Sequence, residues 1–282
     1  MTYGMQVVVF ILLGFALCWV GKLVYGLFHH RARVDLEVTA KDNVAFAVPL
    51  GAYYLGILIV LGGPLSGQPR EGLEGLARDA LSLIGWGLLA VVLLNVAALA
   101  ADRFLFRRID LHAEVVQGGN LAAGIVLAGF HLSAALLVFG AVAGEGGLLP
   151  AMVFWLYGQC LLTLAAAAFL RLMKADVSAE LRRDNRAVAL SVAGLLVAMA
   201  NILRIAITGS FEGWEAGFAA ATGYALAGLA ILFLARWLTD WVLLPGVTIR
   251  HEVLEQAVPN VGVGYLEAIF YLGISFLIAW TL

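Results

Sequence analysis

Residues 44–68 read VAFAVPLGAYYLGILIVLGGPLSGQ, a run without a single charged side chain. The hydrocarbon core of a bilayer is about 30 Å thick, so a helix needs about 20 mostly apolar residues to cross it. This run is long enough for one transmembrane helix. Seven further segments meet the same criterion, three of them with a single charged residue inside: 5–28, 80–101, 115–144, 146–170, 187–209, 216–235 and 256–282. The sequence therefore predicts an all-α polytopic membrane protein with eight transmembrane helices.

The composition agrees with a membrane protein and argues against other classes. Of the 282 residues, 63% are hydrophobic and 13% are charged, whereas about a quarter of a soluble domain is charged. The net charge of −2 comes without a basic arm, so no nucleic-acid partner is expected. Cys18 and Cys160 both lie inside spans and are expected to be apolar side chains. No nucleotide, nucleophile-elbow or zinc motif occurs, so we expect neither an enzyme nor a cofactor or metal site.

The basic residues predict the orientation. Of the 17 Lys and Arg residues, 13 follow the odd-numbered spans, 2 lie in the other connections and 2, Lys22 and Arg204, lie within spans. Short loops rich in Lys and Arg stay in the cytoplasm. We therefore expect the connections after the odd-numbered spans to be cytoplasmic, and both termini to lie on the outer side of the membrane.

The chain repeats itself. Residues 41–48 (KDNVAFAV) match residues 183–190 (RDNRAVAL) at an offset of 142, which also relates Cys18 to Cys160. Residues 119–124 (GNLAAG) and 259–264 (PNVGVG) are related to these stretches. The repeats predict two homologous four-helix units, 1–145 and 146–282, each made of two parallel helix hairpins. Each hairpin has a connector, expected to hold a short amphipathic helix, that carries a glutamate and then an asparagine: Glu37 and Asn43, Glu114 and Asn120, Glu180 and Asn185, Glu255 and Asn260.

This fourfold motif, an asparagine followed by small residues that open a helix, resembles the YjfL-like family, domain of unknown function 350. The residues that carry the resemblance are Asn43, Ala45, Asn120, Ala122, Ala123, Asn185, Ala187, Asn260 and Gly262. Single-unit members have four transmembrane helices, so the resemblance implies two fused units in a bacterial inner membrane. Gene neighbours of relatives imply phage-shock-type peripheral proteins as partners and a role in envelope stress, but no activity. The fourth copy departs from the motif, with Pro259 before Asn260.

Several polar residues inside the spans are candidate functional residues, because polar groups at membrane depth are costly. His131 and Gln159 are expected at similar depth, as a site for an ion or small solute or as one interhelical hydrogen bond. Asn201 and Arg204 share a helical face. Arg204 either snorkels, pairs with Glu212 or Glu215, or holds a substrate anion.

Three more such residues complete the set. Asn95 is expected to make a helix–helix contact, with a place in the lining of a polar seam as the alternative. Lys22 and Glu267 reach the same depth from opposite directions, which predicts a salt bridge between the first and eighth spans. The alternatives are that Lys22 snorkels and that Glu267 is a protonatable transport carboxylate.

The four asparagines are expected to cap helices, with a ring around a central vestibule as the alternative. Two functions follow from these residues. One is a scaffold or recruiting partner in envelope maintenance, whose cytoplasmic connectors bind peripheral membrane proteins. The other is a channel or transporter for a small solute or ion, built from His131, Gln159, Glu267 and the asparagines. The expected partners are the lipid bilayer and such peripheral proteins, with a second copy of the chain as a further alternative.

Overall fold

Over the part of the chain that is described, all regular secondary structure is helical. The computed structural model describes residues 3–29, 33–66, 70, 72–144, 146–209, 211–244 and 246–281, in which no β-strand occurs. The α-helices of these residues are α1 (Tyr3–Phe28), α2 (Val44–Leu65), α3 (Gly72–Leu105), α4 (Leu111–Gly118), α5 (Leu121–Ala143), α6 (Leu148–Leu172), α7 (Val177–Arg182), α8 (Arg186–Ile207), α9 (Trp214–Leu238) and α10 (Val261–Thr281). Eight of them are long and apolar enough to cross a membrane, as predicted; α4 and α7 are short.

The third span is longer than its apolar run. The sequence predicted residues 80–101, but α3 extends from Gly72 to Leu105. The added turns carry charged residues at both ends, among them Glu74 and Arg103. An acidic residue in the first turn and a basic residue in the last turn complement the helix dipole, so these polar ends continue the helix instead of breaking it.

The eight long helices form two rows. In one row, which we call the core row, α2 packs on α5, α5 on α8, and α8 on α10. In the other, the flanking row, α1 packs on α3, α3 on α6, and α6 on α9. Each flanking helix also packs on its hairpin partner, as α3 does on α5. The two homologous halves meet where α5 contacts α8, so the four hairpins stand side by side as a continuous array.

All four connectors lie at one side of the array, because each joins a flanking helix to the next core-row helix along alternating spans. We call it the connector side. Each connector contains a short helical segment, as predicted: the π-helical turn Leu36–Ala40, α4, α7 and the π-helical turn His251–Glu255. A further π-helical turn, Thr239–Leu243, extends α9.

Small residues let the core-row helices approach closely at the connector side. A Cβ atom placed on Gly124 of α5 would lie 2.3 Å from the carbonyl oxygen of Ala45 on α2. In the second half, a Cβ atom on Gly264 of α10 would lie 2.4 Å from the carbonyl oxygen of Ala187 on α8. Both glycines occupy the fourth position after the repeated asparagine, so the repeat in sequence is also a repeat in packing.

Candidate functional site

The four repeated asparagines cap the core-row helices. Oδ1 of Asn185 accepts a hydrogen bond from the backbone N–H of Val188 at 3.1 Å. The same bond is made from Phe46 to Asn43, from Ala123 to Asn120 and from Val263 to Asn260, at 3.2, 2.9 and 3.3 Å. The first turn of a helix leaves backbone N–H groups without an intrahelical partner, and these oxygens satisfy one of them. The predicted caps are confirmed at all four sites.

Each asparagine amide also donates to a glutamate of its own connector. The acceptor is Oε2 of the glutamate, and the three regular copies are Asn43 to Glu37 at 3.0 Å, Asn120 to Glu114 at 3.3 Å and Asn185 to Glu180 at 2.9 Å. The backbone N–H of each asparagine donates to the carbonyl of the same glutamate. Glu37 is 2% exposed, so its bonds to Asn43 and Lys41 compensate for the cost of burying a carboxylate.

The same amides reach forward to the next connector. Nδ2 of Asn43 donates to the carbonyl of Val115 at 3.0 Å, that of Asn120 to Leu181 at 2.7 Å, and that of Asn185 to Val253 at 2.9 Å. In every case the acceptor is the residue directly after the glutamate of that connector. Both N–H groups of these amides are thereby used. The four connectors are thus joined in sequence, and we call the four asparagines with their glutamates the connector strip.

The fourth connector differs from the prediction. Glu255 was expected beside Asn260, but Nδ2 of Asn260 donates to Glu252, at 2.9 Å. Glu255 instead accepts from Arg250 at 2.8 Å, and this bond holds the pKa of Glu255 below its usual value.

The reason lies before the asparagine. The preceding residue has a positive φ in the other three copies, 49° at Asp42, 61° at Gly119 and 56° at Asp184. The ring of a proline locks φ at a negative value, so Pro259 cannot adopt this conformation.

The first half contains a buried polar cluster around His131. This residue lies half-way along α5, is 0% exposed, and packs against the rings of Tyr25 and Tyr53, with centroids 6.1 and 5.3 Å away. Nδ2 of Asn95 donates to Oη of Tyr53 at 2.9 Å, which confirms the helix–helix contact expected of Asn95. Neither ring nitrogen of His131 has a hydrogen-bond partner among the described residues, nor has Oη of Tyr25.

Aromatic rings connect this cluster to the connector side. The ring of Tyr25 lies 4.2 Å from that of His29, which stacks at 4.0 Å on His112 of α4. A cavity of about 600 Å³ opens beside the two histidines, and Asp102 and Arg103 also line it. Burial lowers the pKa of His112 to about 4, although the charge of Asp110 acts in the opposite direction. The imidazole of His112 is therefore neutral at neutral pH.

The second half contains a different cluster, built around a charge pair. Glu267 of α10 is 1% exposed and accepts hydrogen bonds from Arg236 of α9, Ser191 of α8 and Tyr271 of α10. The Arg236 side chain is itself 14% exposed. The ion pair and the two hydroxyl donors offset the cost of burying this carboxylate, and they join α8, α9 and α10 to one another.

The predicted salt bridge between Lys22 and Glu267 was wrong. Lys22 pairs with Asp35 in the first connector, which corresponds to the snorkelling alternative. Helix α1 packs on α2 and α3, and α10 packs on α8 and α9, so the two helices lie at opposite ends of the array. The equal depth of Lys22 and Glu267 in the membrane does not determine whether their helices are neighbours. Arg236 was missed as the partner of Glu267 because it stands near the end of its span and resembles a loop residue.

The remaining candidates do not converge on one site. Nε of Arg204 donates to Oδ1 of Asn201 at 3.1 Å and its guanidinium lies 5.5 Å above the ring of Phe139, so among the described residues it bonds within its own helical face and not to Glu212 or Glu215. Nδ2 of Asn201 donates to Ser275.

No hydrogen bond joins Gln159 to His131, since neither Nε2 of Gln159 nor the imidazole nitrogens have a partner among the described residues. Glu267 bonds to residues of α8, α9 and α10, whereas His131 packs against rings of α1 and α2, so the expected convergence of these two residues was wrong. The forward hydrogen bonds join the asparagines in a row instead of a ring.

Comparison with known proteins agrees with this two-unit architecture. The family model described as Domain of Unknown Function (DUF350) matches twice, at residues 1–142 and at residues 145–282. A relative from Aquifex aeolicus (strain VF5), named UPF0719 transmembrane protein, is 26% identical over 205 residues, which cover 70% of this chain and 72% of the relative. No solved structure matches. The chain belongs to the DUF350 family of transmembrane proteins and carries two fused units of it.

Proposed function

We propose that this protein is a membrane scaffold whose connector strip faces the cytoplasm and recruits peripheral membrane proteins that maintain the cell envelope under stress. The observation that carries the proposal is the forward hydrogen bond of each asparagine. Asn43, Asn120 and Asn185 each tie one connector to the next. Connections of this length are usually the mobile part of a membrane protein, whereas here they are held in a fixed order that suits a docking platform.

Close packing of the core row supports a scaffold over a passage. His131 is 0% exposed and lies among aromatic rings. A Cβ atom on Gly56 of α2 would lie 3.1 Å from Cβ of Ala135 on α5, and one on Gly129 would lie 2.9 Å from Ala193 on α8. Helices that touch at backbone distance leave no lumen between them, so the middle of the array suits a structural role better than conduction.

Exposed arginines on the connector side provide positive charges that could bind a partner protein. Arg107, Arg171 and Arg182 are exposed, and none of them makes an ion pair among the described residues. Arg186, in contrast, holds Asp184, whose carboxylate accepts the backbone N–H of Ala122 and so belongs to the packing of the strip. The free arginines are therefore the ones to test, and they suit a partner with an acidic surface.

The test is recovery of peripheral proteins with the tagged protein from its native membranes. Reversing Arg107, Arg171 and Arg182 to Glu should abolish recovery of the specific peripheral protein that the parent retains. A control on the opposite side reverses Arg70 and Arg78, two exposed arginines that pair with Asp79 and Glu74. Topology must be checked by cysteine labelling, since basic residues also set orientation. Undiminished recovery with unchanged topology would contradict the scaffold.

A passage for protons or a small ion is the second candidate, and one specific observation favours it. Both ring nitrogens of His131 and Oη of Tyr25 are buried without a partner among the described residues, and leaving such groups unpaired costs about 1–3 kcal/mol each. Groups of this kind often have a functional reason. If the protein conducts, liposomes that contain it should dissipate a pH gradient faster than empty liposomes, and His131→Phe should slow them. Equal rates in parent and empty liposomes would exclude this candidate.

A further inference from the structure

Each helix of the core row contacts the next helix of the row through the same face. Four positions, +2, +6, +9 and +13 when counted from the repeated asparagine, point towards the next helix of the row. All four are buried in α2, α5 and α8. At position +9, for example, a Cβ atom on Gly129 would lie 2.9 Å from Ala193 of α8, and one on Gly194 would lie 2.5 Å from Ala268 of α10.

In α10 the same four positions are exposed. They are Gly262, Leu266, Ile269 and Gly273. No atom lies within 4 Å of a Cβ placed on Gly273, whereas Gly56, which occupies this position in α2, touches Ala135. Glycine in a helix interior is unfavourable relative to alanine, and contact with lipid does not offset this cost. Glycines at the contact positions of an open face are typical of helix–helix association.

The other end of the array carries the complementary surface. Positions +11 and +15, counted in the same way, receive the preceding helix, and they are buried in α5, α8 and α10. In α2 these residues are Tyr54 and Leu58, which line an open groove of about 810 Å³ between α1 and α2. Leu58 is 47% exposed. The groove is therefore the place that a preceding core-row helix would occupy.

At the end of the connector strip, the amide of Asn260 has one N–H group without an acceptor among the described residues. In the three regular copies the asparagine uses its second N–H on the carbonyl that follows the next glutamate. Among the described residues the amide of Asn260 donates only to Glu252. The carbonyl that follows the first glutamate, Glu37, belongs to Val38, a residue 37% exposed. A fifth connector placed after the fourth would bring these two groups together.

We propose that α10 of one chain docks into the α1–α2 groove of a second copy, continuing the core row and the connector strip head to tail, with Asn260 donating to Val38 of that copy. The contact is heterologous, so it generates an open file or a closed ring of chains instead of a two-fold dimer. The occupant is a second copy because both surfaces repeat, position for position, an interface that the chain already forms three times within itself. This inference does not depend on the scaffold proposal.

Disulfide trapping in native membranes tests the register. Cys18→Ala and Cys160→Ala first remove the native thiols. Position +13 of one core-row helix meets position +15 of the next, so Gly273→Cys on one tagged chain should trap Leu58→Cys on a differently tagged chain. Cβ atoms in a disulfide are about 3.5–4.5 Å apart, and a Cβ atom placed on Gly56 lies 3.1 Å from that of Ala135, so a small shift of the helices brings the pair into range.

Controls come from the chain itself. Gly56→Cys with Ala135→Cys repeats the geometry inside one chain and should form an intrachain disulfide under the same oxidation. Leu164, 67% exposed on the flanking helix α6, gives a matched negative partner for Leu58→Cys. Ile269→Cys with Gly51→Cys reports on the same interface if Gly273→Cys inserts poorly.

The possible outcomes are distinct. Head-to-tail docking predicts a mixed dimer from the two tagged chains and a ladder of multimers when one chain carries both cysteines. A Gly273→Cys chain that traps only another Gly273→Cys chain means a symmetric contact and overturns the proposal. Trapping no greater than with Leu164→Cys, while the intrachain control closes, means that lipid covers α10 and also overturns it.

Discussion

The hydrogen bonds of the connector strip make a quantitative prediction about Asn185. Replacing it with alanine removes the helix cap, the bond to the Glu180 carboxylate and the forward bond to the carbonyl of Val253. Asn185 is 4% exposed, so the abandoned groups gain little water in return. Asn260 provides the matched comparison, because it makes a cap and a glutamate bond but no forward bond among the described residues.

The magnitudes follow from the types of bond. A lost cap costs about 1 kcal/mol. A bond to a charged group contributes about 1.5–3 kcal/mol and a neutral bond about 1 kcal/mol. We therefore expect Asn185→Ala to lower the free energy of unfolding by about 4 kcal/mol. Asn260→Ala should cost at least about 1 kcal/mol less, because its forward bond is missing and its side chain is exposed.

Thermal unfolding of the purified protein in detergent measures the order. The melting temperature should fall from parent to Asn260→Ala to Asn185→Ala. Asn185→Asp separates the contributions, because it keeps the capping oxygen but loses both donors next to Glu180. If Asn185→Ala and Asn260→Ala melt at the same temperature, the forward bond contributes nothing and the reasoning on the strip fails.

Three further predictions concern the rest of the array. Arg236→Met or Glu267→Gln alone should lower the free energy of unfolding by about 3–5 kcal/mol. In a double-mutant cycle measured by thermal unfolding, the double variant should recover part of this loss. Additive losses would mean that the two charges do not interact. Gly124→Ala should destabilise by forcing α5 away from α2, whereas Gly223→Ala, which has no atom within 4 Å of its Cβ, should not; equal melting temperatures would contradict the close approach. Burial lowers the pKa of His112 to about 4, from about 6.5 in the unfolded chain. The unfolded chain therefore binds a proton more readily, so the stabilising contribution of neutral His112 is present above pH 6.5 and is lost, up to about 3 kcal/mol, as the pH falls towards 4. His112→Phe should flatten this part of the stability–pH curve.

Hydropathy predicted the spans because length and apolarity alone decide whether a helix can cross a bilayer. The repeated asparagines predicted where the core-row helices begin, since Asn43 and Asn185 are strong N-caps followed by small residues. Their forward bonds were not predictable in the same way. Each depends on the carbonyl of a residue in the next connector, such as Val115 for Asn43, and a backbone acceptor leaves no mark in a sequence.

The polar clusters show the opposite limit. Depth along a helix could be counted from the sequence, but the order of helices in the two rows could not. Lys22 and Glu267 therefore looked like partners although α1 and α10 lie at opposite ends. Tyr25 and Tyr53 were overlooked as neighbours of His131 because aromatic residues in a span look the same whether they face lipid or a buried imidazole.

The forward direction of the asparagine bonds has a consequence for how the chain is made. Stability in such an array is close to a sum over neighbouring repeats, as in soluble solenoids. A chain is synthesised and begins to fold from its N-terminus, so each hairpin is made after the hairpin to which it is joined upstream. The bond from Asn43 stays open until the second hairpin delivers Val115, and that from Asn120 until the third delivers Leu181. Hairpins that enter the bilayer in chain order would therefore complete the connector strip in that order, because each forward bond among the described residues joins one hairpin to the next.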